Sequence, residues 1–198
     1  MKLYCSLSSP FVRKVRMLLE ETGRGDEIEI ELVKTSPMAP HETLRSANPL
    51  AKIPALARDD GPTLYDSRVI CEFLDAHFQS GLYHAGWDSK VLEATGDGIT
   101  EAALQITYER RFRSEDHVLE DWIAAQMGKI HAACAALNTR WMSHLKGPLD
   151  MGQISVACAL GYVDFRHPDA GWRQGNEALA DWYASFESLS SFAATRPE

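Results

Sequence analysis

Every strand-like pattern in this 198-residue chain falls before residue 65, and from residue 90 onward the sequence reads as helix. That division limits the chain to a small mixed α/β unit followed by a helical one. Lys2 to Leu7 read as a short strand. Ser8-Ser9-Pro10 then joins a helix N-cap residue to proline at the first helical position. Val12, Val15, Leu18 and Leu19 fall on one helical face, and Gly23 and Gly25 supply the stop.

The run Ile28-Glu29-Ile30-Glu31-Leu32-Val33 alternates with the period of a half-buried strand. A loop rich in Pro, Ser and Asn follows. Ile53 to Ala57 and Thr63-Leu64 then flank Asp59-Asp60-Gly61-Pro62, which is hairpin chemistry. Ser67 is expected to cap a helix whose apolar positions are Val69, Ile70, Phe73 and Leu74. The order is βαβ-ββα over residues 1–78.

Residues 79–89 contain Gly81 and Gly86 without apolar periodicity and are expected to be a linker. In the all-helical part, 90–198, Val118, Trp122, Ile130, Cys134, Leu137 and Trp141 recur at helical intervals and predict one long helix with a buried face.

Composition narrows the function. A formal net charge of -8 opposes nucleic-acid binding, which needs clustered Lys and Arg. No apolar stretch reaches the roughly 18 residues of a membrane span, and Met1-Lys2-Leu3-Tyr4 does not lead into a signal-peptide core, so a cytoplasmic protein is expected. Cys5, Cys71, Cys134 and Cys158 lack CxxC or zinc spacing and read as buried reduced thiols. The seven histidines have no metal-ligand spacing, and the glycines form no phosphate-cradling loop. Neither metal nor nucleotide is expected.

The residues at the element junctions are Ser9-Pro10-Phe11, Asn48-Pro49-Leu50-Ala51-Lys52-Ile53-Pro54 and Asp66-Ser67. Later come Leu149-Asp150-Met151-Gly152-Gln153-Ile154 and the closing set Leu179, Trp182, Tyr183, Phe186, Phe192, Thr195 and Pro197. With these the chain resembles a bacterial cytosolic glutathione S-transferase of the serine type, tau/zeta-like, over nearly its whole length. The resemblance implies a thioredoxin-like first domain that binds glutathione as co-substrate, with no permanently bound cofactor. It also implies an all-α domain lining the electrophile site, a symmetric homodimer and a part in detoxification.

The resemblance assigns Ser9 as the catalytic residue. A free thiol with pKa about 8.5 is only slightly ionised near neutrality, and lowering that value by about two units requires about 2.7 kcal/mol. A hydroxyl hydrogen bond to a charged acceptor contributes about 1.5 to 3 kcal/mol, and a helix N-terminus adds about 0.3 to 2. Ser9 can supply both without acting as a base, although the same serine would cap its helix in any protein. Cysteines stand at the corresponding Cys-Pro-x-Cys turn of glutaredoxin-like relatives. Here that turn reads Ser9-Pro10-Phe11-Val12, which removes dithiol exchange.

By the same resemblance, Ile53-Pro54 is a cis-proline turn that pairs strand-like with the cysteinyl part of glutathione. Asp66 meets its ammonium, and Ser67 with nearby helix amides meets its α-carboxylate. Lys52 pairs with the glycine carboxylate, with Lys34 as a second candidate; either could be a solvated surface charge. Phe11 is a glutathione contact in the resemblance and, with Tyr108, Arg111, Phe112 and Trp172, a candidate for the second-substrate wall, although aromatics at helical spacing also build cores. Three other readings remain open: a glutathione-binding stress or interaction module with little turnover, thiol-dependent peroxidase or dehalogenase chemistry, and glutathione-dependent disulfide reduction.

Overall fold

The computed structural model describes residues 1–197. These divide into two compact units: Met1–Gly86 together with the segment from Ser190 onward, and Trp87–Leu189. The boundary thus falls three residues before the expected end of the linker. The C-terminal segment, expected to belong to the helical part, joins the first unit instead.

The first unit is built on β1 (Lys2–Cys5), α1 (Pro10–Thr22), β2 (Glu29–Leu32), α2 (Glu42–Ala47), β3 (Ala55–Arg58), β4 (Gly61–Leu64) and α3 (Ser67–Phe78). Its four strands are ordered β2-β1-β3-β4, with β1 parallel to β2 and antiparallel to β3. The parallel β1–β2 pair needs a crossover, and α1 supplies it. Val12, Val15, Leu18 and Leu19, the expected apolar face of α1, are all buried.

α2 was not expected. His41 caps it, its imidazole Nδ1 accepting from the Leu44 amide at 3.4 Å, and buried Leu44 pins it against Val33 and Ala55. One apolar anchor in six residues has no readable period, so tertiary packing makes this helix. Strand β2 is likewise less buried than its alternation suggests. Ile28 and Val33 at its flanks are buried, while Ile30 and Leu32 are exposed along the sheet edge.

The helical unit contains α4 (Trp87–Phe112), α5 (Glu120–Ala136), α6 (Met142–Leu145), α7 (Met151–Arg166) and α8 (Glu177–Glu187). The long helix expected from Val118 to Trp141 is α5 extended by a π-helical turn, Leu137–Trp141. Ile130, Cys134 and Leu137 form its buried face, whereas Trp122 is exposed.

Every residue of α7 from Met151 to Val163 is buried, which makes it the central element of this unit. It packs tightly on α4 at Gly96, where a Cβ would lie 2.7 Å from the backbone of Ser155. Among the described residues no helix is long and apolar enough to cross a membrane.

Asp150 caps α7, its Oδ1 accepting from the Gln153 amide at 2.9 Å. Gln153 does not complete a reciprocal capping box. Its amide nitrogen donates instead to the carbonyls of His144, Gly147 and Pro148, at 3.2, 3.4 and 2.8 Å. The other Asp150 oxygen lies 2.7 Å from His144 Nε2. In the closing set, Leu179, Trp182, Tyr183 and Phe186 are buried on α8. Phe192, on α9 (Ser190–Ala194), and Thr195 just beyond it are buried in the first unit.

Candidate active site

Ser9 stands at the N-cap of α1 with extended backbone, φ -83° and ψ 123°. Its Oγ accepts from the Val12 amide at 3.4 Å, a long contact that engages the oxygen only weakly. Among the described residues no group accepts the Ser9 hydroxyl proton. Ser6 and Ser8, the neighbouring alcohols, are 3.3 Å apart and hydrogen-bond to each other. Ser9 is the hydroxyl that stands at the N-cap of α1 itself. Phe11, in the first turn of α1, is half-buried.

The turn leading to β3 is organised by Asn48, which is almost fully buried. Its side-chain amide donates to the Lys52 carbonyl at 2.9 Å, and its Oδ1 accepts from the Leu50 amide at 3.0 Å. Ala51 within this turn adopts a left-handed conformation, φ 51°. The Ile53–Pro54 bond that follows is cis, and β3 begins one residue later. Ile53 is half-buried against the Val33–Leu44–Ala55 cluster, and Pro54 is buried. Lys34 and Lys52 are exposed and have no ion-pair partner among the described residues.

At the second helix start the cap is Asp66, not Ser67 as expected. Asp66 Oδ1 accepts from the Arg68 amide at 3.1 Å, and Oδ2 pairs with the Arg68 guanidinium at 3.2 Å. Asp wins because its carboxylate precedes the first helical residue with extended backbone and reaches the N2 amide. Ser67 becomes that first helical residue and is 2% exposed. Burial alone would raise the Asp66 pKa, but hydrogen bonds and charge from Arg68, with a contribution from Lys14, hold it below the ordinary value.

Lys14 escaped sequence reasoning. It is 1% exposed on α1, and its charge reaches Asp66. Spacing gives no warning, since a lysine between core positions Val12 and Val15 reads as a solvent-facing residue.

Cys5 is fully buried in β1, and burial pushes its thiol pKa up, the opposite of what a nucleophilic cysteine needs. All four cysteines are buried and outside any disulfide, and burial raises Cys134 to about 12. No group of three or more His, Cys, Asp or Glu side chains arranged for a metal occurs among the described residues.

In the helical unit, Tyr108 and Phe112 meet on the last turn of α4 with ring centroids 5.2 Å apart. The exposed Arg111 guanidinium lies 5.5 Å from the Phe112 centroid. Trp172 departs from its expected place in a substrate wall. It is 1% exposed, its indole N–H donates to Asp164 Oδ1 at 2.8 Å, and its ring meets Tyr183 edge-on at 5.6 Å. With no open face, it is a core residue.

The first unit is a thioredoxin-like domain bearing a hydroxyl and an acidic cap at its two principal helix starts, and the second is all-helical. Residues 8–77 match the glutathione S-transferase N-terminal domain and residues 120–185 the glutathione S-transferase C-terminal domain. The chain belongs to the glutathione S-transferase family. It is 31% identical to the uncharacterized GST-like protein YibF of Escherichia coli K12, covering 100% of this chain and 98% of that one. A glutathione transferase family member from Pseudomonas fluorescens Pf-5 with bound glutathione is 40% identical, with a TM-score of 0.93, covering 100% of this chain and 98% of the other. A second Pseudomonas fluorescens Pf-5 structure, with bound S-(propanoic acid)-glutathione, is 38% identical, with a TM-score of 0.88 and full coverage of both chains.

Proposed function

We propose that this protein is a glutathione transferase of the serine type, in which the Ser9 hydroxyl donates a hydrogen bond to the glutathione sulfur and holds it as thiolate. The observation that carries this reading is the Ser9 O–H at the start of α1, whose proton no group among the described residues accepts. A hydrogen bond to charged sulfur, worth about 1.5 to 3 kcal/mol, together with helix-terminal amides accounts for a pKa lowered by about two units. The glutathione-bound Pseudomonas relative supports glutathione as the co-substrate.

In this reading the cysteinyl backbone of glutathione pairs with the segment ending at Ile53-Pro54. Lys52 meets the glycine carboxylate, with Lys34 in reserve. Asp66 receives the ammonium, while Ser67 and first-turn amides of α3 bind the α-carboxylate. Arg68 already occupies the Asp66 carboxylate, so the ammonium shares or displaces that pair.

The thiolate attacks a small hydrophobic electrophile, forming a C–S bond as the leaving group departs with its electron pair. At a conjugated double bond the π pair moves onward instead, and the carbon then takes a proton from water. In this reading Tyr108, Arg111 and Phe112 contact the acceptor, and Phe11 contacts glutathione. The relative holding an S-substituted glutathione supports a site that accommodates sulfur-linked groups. The active form is a symmetric homodimer, and light scattering at micromolar concentration tests it, a monomeric mass refuting it.

Calorimetry with glutathione and conjugation of a chlorodinitrobenzene, with wild type and Ser9→Ala, test the central claim. Binding with turnover that collapses in Ser9→Ala supports it. Tight binding without turnover in either protein would favour a non-catalytic glutathione-binding module.

A further inference from the structure

The stretch between α6 and α7 meets one face of α8 around a cavity of about 450 Å3. All of its walls belong to the helical unit. Leu145, Trp182 and Phe186 give it an apolar lining and are at most 6% exposed, with the Trp182 and Phe186 ring centroids 5.2 Å apart. The half-buried Leu149 and Leu189 extend that lining. A concave apolar site of this size takes one small molecule.

The polar groups of the cavity are unequally committed. The carbonyls of Gly147 and Pro148 already accept from the Gln153 side chain, and the Ser185 hydroxyl donates to the Trp182 carbonyl at 2.6 Å. Three donors are left over. Among the described residues nothing accepts from the Trp182 indole N–H or the Leu149 amide, and the exposed Lys146 ammonium has no carboxylate partner. A buried indole normally finds an acceptor, as Trp172 does in Asp164 of the same unit. Trp182, 6% exposed, has none.

From this we propose that the cavity beside Trp182 is a binding site for a small aromatic monocarboxylate. The Trp182 and Phe186 rings and the leucines hold the planar part. The carboxylate accepts from the Trp182 indole N–H and the Leu149 amide and pairs with Lys146, since three unsatisfied donors at an apolar surface select a charged acceptor. Asp181, exposed at the same cavity, opposes a second negative charge on the ligand. None of these residues takes part in the proposed glutathione chemistry, so the two readings stand independently.

The test compares 2-naphthoate with its neutral counterpart 2-naphthamide by calorimetry on the full chain. The wild type is expected to prefer naphthoate by roughly fivefold, the scale of one exposed ion pair. Lys146→Gln should cut that ratio by at least half, and Lys146→Glu should invert it. Ser185→Trp, which places a large side chain at the cavity from an exposed position of α8, should abolish binding of both probes. Saturating S-hexylglutathione should leave naphthoate binding unchanged.

No binding of naphthoate up to millimolar concentration, a wild-type ratio near one, or a ratio unchanged in Lys146→Gln overturns the proposal. So does displacement of naphthoate by S-hexylglutathione, which would put the probe at the glutathione site. Failure of S-hexylglutathione itself to bind counts against the transferase reading alone. Thermal unfolding checks each variant, and should Ser185→Trp not fold, Trp182→Phe serves as the second probe. It keeps an aromatic ring but loses the N–H, so naphthoate should bind several-fold more weakly, and unchanged binding counts against the cavity.

Discussion

The guanidinium of Arg13 lies 3.7 Å over the ring centroid of Phe192 and donates to the Phe192 carbonyl at 2.9 Å, across 179 residues of chain. Arg13 Nε also reaches Thr195 Oγ1 at 3.5 Å, and Arg16 donates to the Ala194 carbonyl at 3.2 Å. Helix α1, which begins at Ser9, is therefore held by the end of the chain. Arg13 is 4% exposed, so Arg13→Ala removes charged hydrogen bonds and leaves acceptors buried. A loss of about 2 to 3 kcal/mol in urea unfolding is expected, and removal of the residues after 189 should cost at least as much.

Ser9→Ala should lower kcat/KM for conjugation roughly 10- to 150-fold, the equivalent of one hydrogen bond to a charged sulfur. The pKa of the bound thiol should rise by roughly one to two units, moving the alkaline plateau of the rate profile upward by the same amount. Thiolate absorbance of the glutathione complex, titrated with pH, measures this directly. An unshifted titration would remove Ser9 from catalysis.

Asp66 has a native pKa below its ordinary 3.8, and its side chain is 57% exposed. A depressed carboxylate pKa stabilises the fold fully above that ordinary value, and the contribution is lost as pH falls through the lower native value. Solvent screening keeps it small. Asp66→Asn retains a capping side chain, so stability near neutrality should hardly change, while glutathione affinity should fall about fivefold through loss of the ammonium partner. Calorimetry and thermal unfolding of the same variant separate the two effects.

Gln153 donates to three carbonyls of the loop before α7. Gln153→Asp should destabilise the helical unit by about 2 kcal/mol. The carboxylate cannot donate, and it would face oxygen atoms. Gln153→Ala should cost less than Gln153→Asp. Urea midpoints of the two variants decide the order.

None of the four cysteines should react with a chromogenic disulfide reagent at pH 8 in the native protein, and all four should react after unfolding. Cys5→Ser should keep conjugating activity. Its loss, with the fold intact by circular dichroism, would restore Cys5 as a candidate nucleophile.

The local signals were legible because they are short in range. Proline after Ser9, Gly23 with φ 65° after Thr22, and Asp150 three residues before Gln153 mark helix ends through contacts within one turn. The junction residues likewise carried the family resemblance. By itself, then, the amino-acid order determined the βαβ-ββα succession, the helical second unit and the serine at the first helix start.

Only the tertiary structure decided which partners those elements meet. It buried Lys14 on a flank that reads as polar and buried Trp172 where an exposed wall was expected. It formed α2 around Leu44, gave the α3 cap to Asp66, and returned the C-terminal segment to Arg13. Periodicity reports which side of an element is apolar, but a buried ion or a distant carbonyl is chosen by packing between segments far apart in the chain, where no sequence interval encodes the contact.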